Sequence, residues 1–241
     1  MVLFDWDGTL LDSYAADTRA YLAMFAALGI GWTRRDLDRH YHPDWYRVYG
    51  AAKIKRERWH DADKIWREAY GRERPKLLPG AKPVLRSLSK QFILGIVTSG
   101  DGSRVRLQLK NLRLADLFRV TVCVEDSPHR KPHPAPLLGA LSLLDAKPAE
   151  CVYVGDSPQD MEMARRAGVR AIGIFGPFPT EEGLRAAKPV LLLNSIHQLP
   201  KHLAPAEIGK VRSKSISRAT RVRQKAPTKQ AARPRKNRSA A

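Results

Sequence analysis

Two aspartates, Asp5 and Asp7, stand two residues apart where the first apolar run, "VLFDWD" (2–7), gives way to Gly8 and Thr9. Either they form an ordinary strand-to-turn exit, or they are the centre of a reaction. Alternate residues of an extended segment point to one side, so both carboxylates would face a single ligand. Gly8 permits a sharp exit and close backbone approach. Similar groups end other short apolar runs: Thr98 and Ser99, Glu125 and Asp126, Gly155 and Asp156, with Lys131 in the loop "HRKPHP". Gathered carboxylates repel, and without a cation some would have to protonate. A bound Mg²⁺, a hard ion that prefers carboxylate and water oxygens, resolves the conflict.

The elements that must bring these groups together are legible as β-branched runs at 2–7, 92–99, 120–125, 151–156, 170–175 and 190–193. Helical patterns fall between most of them. Leu137, Leu138, Leu141 and Leu144 recur at helical spacing, and Ser157 with Pro158 opens a helix that Gly168 stops. This alternation predicts an α/β fold with a doubly wound parallel sheet, in which ligands bind beyond the carboxyl ends of the strands. From Ser13 to about Leu78 no strand is expected. Tyr21, Phe25 and Leu28, then Trp59, Ala62, Trp66 and Ala69, mark helices, and Pro79-Gly80 closes the interval. The expected organisation is a core of residues 1–13 and 79–203, a helical cap domain of residues 14–78, and a tail of residues 208–241.

"DWDGTLLDS", "VTSG", "KPHP" and "VGDSPQD" resemble the four ordered motifs of the haloacid dehalogenase (HAD) superfamily. The similarity is greatest to its phosphoglycolate phosphatase and β-phosphoglucomutase branch, whose helical cap follows the first motif. The resemblance covers residues 2–200. It implies that Asp5 is the nucleophile, forming an aspartyl-phosphate, and Asp7 the general acid/base. Thr98, Ser99, Gly100 and Lys131 would bind the phosphoryl group. Asp5, Asp156 and the carbonyl of Asp7 would hold Mg²⁺, and Asp160 would hold a metal-bound water or orient Lys131. Asp160 also sits where a carboxylate caps a helix. Dehalogenating members lack the second acid; the presence of Asp7 implies phosphate-ester chemistry.

The implied activity is a Mg²⁺-dependent phosphatase acting on a small, phosphoglycolate-like phosphomonoester. The first alternative is a phosphosugar mutase, although no substrate loop typical of the sugar-phosphate mutases is found. Cap cations such as Arg47, Lys53 and Arg56 are expected mainly on solvated faces, with one available for an anionic substrate tail. Trp45, Trp59 and Trp66 are expected in the cap interior. Asp12 is expected to end the strand loop or cap the first helix, and Glu125 and Asp126 to line the entrance.

The chain has 241 residues and a formal charge of +19. Residues 208–241 hold 12 Lys/Arg and no acid, leaving 31 basic against 24 acidic residues elsewhere. Such a tail cannot bury enough apolar surface to order itself. It suits loose contact with nucleic acid or an anionic surface through counterion release, which makes nucleic-acid association the second alternative function. No apolar run is long enough for a membrane helix, no secretory signal is read, and Cys123 and Cys151 are expected buried and unpaired. A reducing cytoplasm is the expected compartment.

Overall fold

β1 (Val2–Phe4) lies at the centre of the sheet and is buried on both faces. Its alternation sends Val2 and Phe4 into one apolar cluster and Leu3 into the other. The computed structural model describes residues 1–203; the tail of residues 208–241, and the expectations attached to it, lie outside the described residues. The other sheet strands are β4 (Leu94–Val97), β5 (Phe118–Val122), β6 (Val152–Gly155), β7 (Arg170–Ile174) and β8 (Leu191–Leu193), with β2 (Leu11–Asp12) and β3 (Lys76–Leu77) lying outside this sheet. Their order is β5-β4-β1-β6-β7-β8, and every pairing is parallel. Val2 stands opposite Leu94 on one side and Val152 on the other, which sets the carboxyl ends of β4, β1 and β6 side by side. The strand order reverses at β1, the kind of crevice in which open α/β sheets bind ligands.

Each sequence run is present as a strand, but shorter than its apolar extent. The residues trimmed from the carboxyl ends of the first four runs form the loops of the site. The helices of the core are α5 (Ala81–Leu88), α6 (Gly102–Asn111), α7 (Ala135–Leu143), α8 (Pro158–Arg166) and α9 (Glu181–Ala186). Val84, Leu85 and Leu109 join the cluster of Phe4, whereas Leu137, Leu141 and Ala164 join that of Leu3. Cys123 and Cys151 are buried and unpaired, on opposite faces of the sheet.

Between β1 and α5 the chain leaves the sheet. It forms α1 (Tyr14–Ala27), α2 (Arg34–His40), α3 (Trp45–Ala51) and α4 (Trp59–Tyr70). This helical insert has its own apolar cluster around Met24, Phe25, Leu37, Val48 and Tyr49. A strand pair missed in the sequence ties its two ends together. β2 (Leu11–Asp12) pairs antiparallel with β3 (Lys76–Leu77), with Leu11 opposite Leu77 and Asp12 opposite Lys76. Two-residue strands carry too little pattern to be read from sequence. Asp12 is exposed within β2 and does not cap α1, whose N-cap residue is Ser13. Among the described residues, no helix is long and apolar enough to cross a membrane.

Candidate active site

The site begins at the end of β1. Trp6, between the two aspartates, is fully buried in the core and donates its indole N–H to Gln108 Oε1 at 2.8 Å. Burying Trp6 on one side turns Asp5 and Asp7 to the other, where both line one cavity. Gly8 follows at φ +80, and a Cβ there would collide with the carboxylate of Asp156 and the ring of Phe178. Glycine is therefore required both by backbone conformation and by the approach of the β6 loop.

Thr98, Ser99 and Gly100 follow β4 and line the same cavity. Thr98 is buried, and its Oγ1 accepts from the Gly100 N–H at 3.1 Å. Asp101 caps α6 by accepting from the Arg104 N–H at 3.0 Å, which fixes the first turn of that helix. From that turn Arg104 reaches Asp7 with two parallel bonds, Nη2 to Oδ2 at 2.6 Å and Nη1 to Oδ1 at 3.0 Å. Its guanidinium also lies 4.9 Å from the ring of Tyr70, at the end of α4. One arginine thus touches both the core carboxylate and the helical insert.

Lys131 is buried, and its ammonium donates 2.7 Å bonds to Asp5 Oδ1, Asp160 Oδ1 and Tyr153 Oη. Asp160 is fully buried and divides its oxygens between two tasks. Oδ1 receives Lys131, while Oδ2 accepts from the Ser157 N–H at 3.1 Å and hydroxyl at 2.7 Å. The capping and lysine-orienting readings of Asp160 therefore describe one residue doing both. Asp156 is held from two sides: Thr9 donates to Oδ1 at 2.8 Å, and Thr180 donates to its backbone carbonyl at 2.7 Å.

Burial raises the Asp5 carboxyl to about 7, with Asp160 adding to the rise and Lys131 opposing it. Burial, with Asp5 and Asp160 nearby, pushes Asp156 well above the carboxylate range. Asp7 goes the other way: burial would raise it, but the charge and hydrogen bonds of Arg104 hold it below its ordinary value. Burial works against the Lys131 ammonium, yet Asp160 and Asp5 overcome it and raise its pKa.

Oxygens of Asp5, Asp156 and Asp160 lie within 4.8 Å of one another. Two of these carboxyls are lifted by burial despite the single ammonium among them. That donor set fits a hard divalent cation, which would supply the missing positive charge. The metal-free protein should therefore lose stability as pH rises. The Asp5 contribution is intact below its ordinary value of 3.8 and gone once pH passes about 7. Added Mg²⁺ is expected to raise the melting temperature more at pH 8 than at pH 5, where protons compete for the same oxygens. Thermal scans with and without chelator check this; an equal shift at both pH values would count against the assignment.

The cavity of about 140 Å³ is roofed by Tyr21, Tyr41, Trp45, Tyr49 and Trp66 of the insert. Trp45 and Trp66 thus pack against the insert's core and also line the cavity, whereas Trp59 only packs. Arg47, Lys53 and Arg56 are not among the lining residues. Neither are Glu125 and Asp126, a correction to their expected place at the entrance; Val124 lines the cavity instead. Glu125 accepts from the Gly102 N–H at 3.0 Å, tying the loop after β5 to the start of α6, and Asp126 accepts from the Cys123 N–H at 2.9 Å, closing the turn after β5. Sequence reasoning missed Arg104, Tyr153, Thr9, Thr180 and Asp17. Arg104 alone left a signal: it stands in the first turn of a helix that starts directly beyond a motif-bearing strand.

The model of the family described as haloacid dehalogenase-like hydrolase matches residues 2–174. The protein named pyrophosphatase PpaX from Bacillus cereus (strain G9842) is 30% identical over 203 residues, covering 82% of this chain and 93% of that protein. A haloacid dehalogenase-like family hydrolase from Streptococcus pneumoniae superposes with a TM-score of 0.74 at 24% identity, over 83% of this chain and 96% of that one. A predicted phosphoglycolate phosphatase from Haemophilus somnus 129pt gives 0.71 at 21% identity, over 84% and 96%. At these identities the two structures speak for the fold.

Proposed function

The chain belongs to the haloacid dehalogenase-like hydrolases, and from that premise we propose that it is a Mg²⁺-dependent phosphatase of a small phosphomonoester. The observation that carries this reading is the contact of one buried ammonium, Lys131, with Asp5 and Asp160 at 2.7 Å, beside Asp156 and the second acid Asp7. In the first step an Asp5 oxygen forms a bond to phosphorus as the bond from phosphorus to the leaving oxygen breaks. Asp7, ionised against Arg104 in the free protein, takes up the proton of the monoanionic ester and delivers it to the leaving oxygen. In the second step water adds to phosphorus, the bond to Asp5 breaks, and Asp7 takes the proton of the water. Inorganic phosphate and free alcohol are the products.

Thr98 and the backbone N–H of Ser99, with Gly100 beside them, are assigned to the phosphoryl oxygens, and Lys131 to the charge shared by Asp5 and phosphate. Asp5, Asp156 and the Asp7 carbonyl, with Asp160 close by, would hold Mg²⁺, which would supply electrostatic stabilisation of the charge on phosphorus. Fixed groups of this kind account for most of the acceleration of a loose phosphoryl transition state. The curated relatives are named for cleavage of pyrophosphate, so that anhydride belongs in the substrate panel beside phosphomonoesters. The full-length protein should release free phosphate from p-nitrophenyl phosphate with Mg²⁺ and stop when EDTA is added. No phosphate release from any ester or anhydride would overturn the reading, and isomerised sugar phosphate without free phosphate would replace it with a mutase. Loose polyanion contact through residues 208–241 is proposed as a separate property of the tail.

A further inference from the structure

The charges lining the cavity do not balance at its insert end. Among the described residues each lining cation has a partner, whereas Asp156, on the core side, has no cationic partner and belongs to the metal set. Lys131 serves Asp5 and Asp160, Arg104 serves Asp7, and Arg67 lies 3.6 Å from Asp101. The remaining lining imidazole, His42, has its Nε2 2.9 Å from the amide of Gln159, and burial lowers its pKa, which favours the neutral ring. Asp17 of α1 and Asp63 of α4 face the same cavity. Among the described residues, neither has a cation within 4 Å. Asp63 accepts from the Tyr49 hydroxyl at 2.9 Å. Burial, helped by the charge of Asp7, raises the Asp17 carboxyl to about 8. The rings of Tyr21, Tyr41, Trp45 and Trp66 complete the lining at this end.

Two acids with no cation within 4 Å, set among aromatic rings, favour a cation, whose charge would ionise Asp17, over an anion. A carboxylate tail on the substrate would meet both acids and no spare basic group. We propose that the leaving group carries a positive charge: the substrate is the phosphate monoester of a short amino alcohol, its ammonium held by Asp17 and Asp63 among those rings. This inference rests on the phosphatase reading, since it describes the leaving-group end of the same site.

The test compares O-phosphoethanolamine and phosphocholine with propyl phosphate, which is neutral and of similar length, and with anionic phosphoglycolate. Each is assayed for phosphate release by the full-length enzyme with Mg²⁺. The ammonium esters should exceed propyl phosphate by at least about tenfold in kcat/KM. Asp17→Asn and Asp63→Asn should each shrink that ratio by at least about fivefold, mainly through KM of the ammonium esters. Because the ratio is taken within one protein preparation, a loss of folded fraction cancels. Propyl phosphate or phosphoglycolate matching the ammonium esters overturns the inference, as does a ratio unmoved in both variants. If p-nitrophenyl phosphate is cleaved without an ammonium preference, this inference alone fails. If no ester is cleaved, the phosphatase reading falls and this one with it.

Discussion

Asp5→Asn is expected to lower phosphate release by at least about a thousandfold while leaving the fold intact. Asparagine preserves the shape and still offers an oxygen to the Lys131 ammonium, which lies 2.7 Å from Asp5 Oδ1. What it lacks is the anionic oxygen that bonds to phosphorus. The same substitution carries a second, opposite signature. Burial holds the Asp5 carboxyl at about 7, so ionising it in the metal-free protein costs stability as pH rises from 3.8 to that value. A neutral side chain removes this cost. The metal-free variant should therefore melt no lower than wild type above pH 7, and its response to Mg²⁺ should shrink because one ligand is gone. Phosphate-release assays and paired thermal scans decide both parts. Turnover equal to wild type would remove Asp5 from the chemistry.

Arg104→Leu should be nearly as damaging, for a different reason. Asp7 would remain half-buried without the guanidinium that spans both of its oxygens. Breaking a fully buried pair costs about 3–5 kcal/mol; with 16% and 24% of these side chains exposed, about 1–3 kcal/mol is expected. A carboxylate freed to rotate also loses its aim at the leaving oxygen, for which roughly a hundredfold in turnover is reasonable. Arg104→Lys should recover part of both losses, since a point charge replaces the charge but not the two-pronged geometry. The pH dependence has a definite sign. Arg104 holds Asp7 below its ordinary value of 3.8, so the stability this adds is present above that pH and is lost as pH falls. The melting difference between wild type and Arg104→Leu should accordingly be larger at pH 7 than at pH 3. A variant with undiminished turnover on alkyl phosphates would show that Asp7 needs no such restraint.

The sheet and the strand-end groups were legible because the two patterns reinforce one another. A buried parallel strand must be continuously apolar, and an aspartate that stops such a run is conspicuous, as at Asp5 and Asp156. Asp160 was legible for its capping position, and its second bond to Lys131 depended on the fold. Arg104 and Asp7 are separated by 97 residues, and the local sequence around each says nothing of the other. Glu125 and Asp126 misled for the converse reason: acids just past a strand also serve to satisfy turn N–H groups. In the insert, aromatic residues at helical spacing marked the buried side of each helix. They could not reveal that Trp45 and Trp66 sit where the insert's core meets the cavity. The place of Asp17, on a helix otherwise read for Tyr21 and Phe25, depended likewise on how that helix is docked.

The pairing of Leu11–Asp12 with Lys76–Leu77 has a consequence for engineering. A chain that departs and returns on adjacent rungs makes a splice junction, and the sheet beneath need not register what is spliced there. A short turn joining Asp12 to Lys76 would yield a miniature, roofless hydrolase. Foreign helical segments with neighbouring ends could be transplanted at the same two points. The phosphoryl chemistry would stay with the recipient, and substrate choice would travel with the graft.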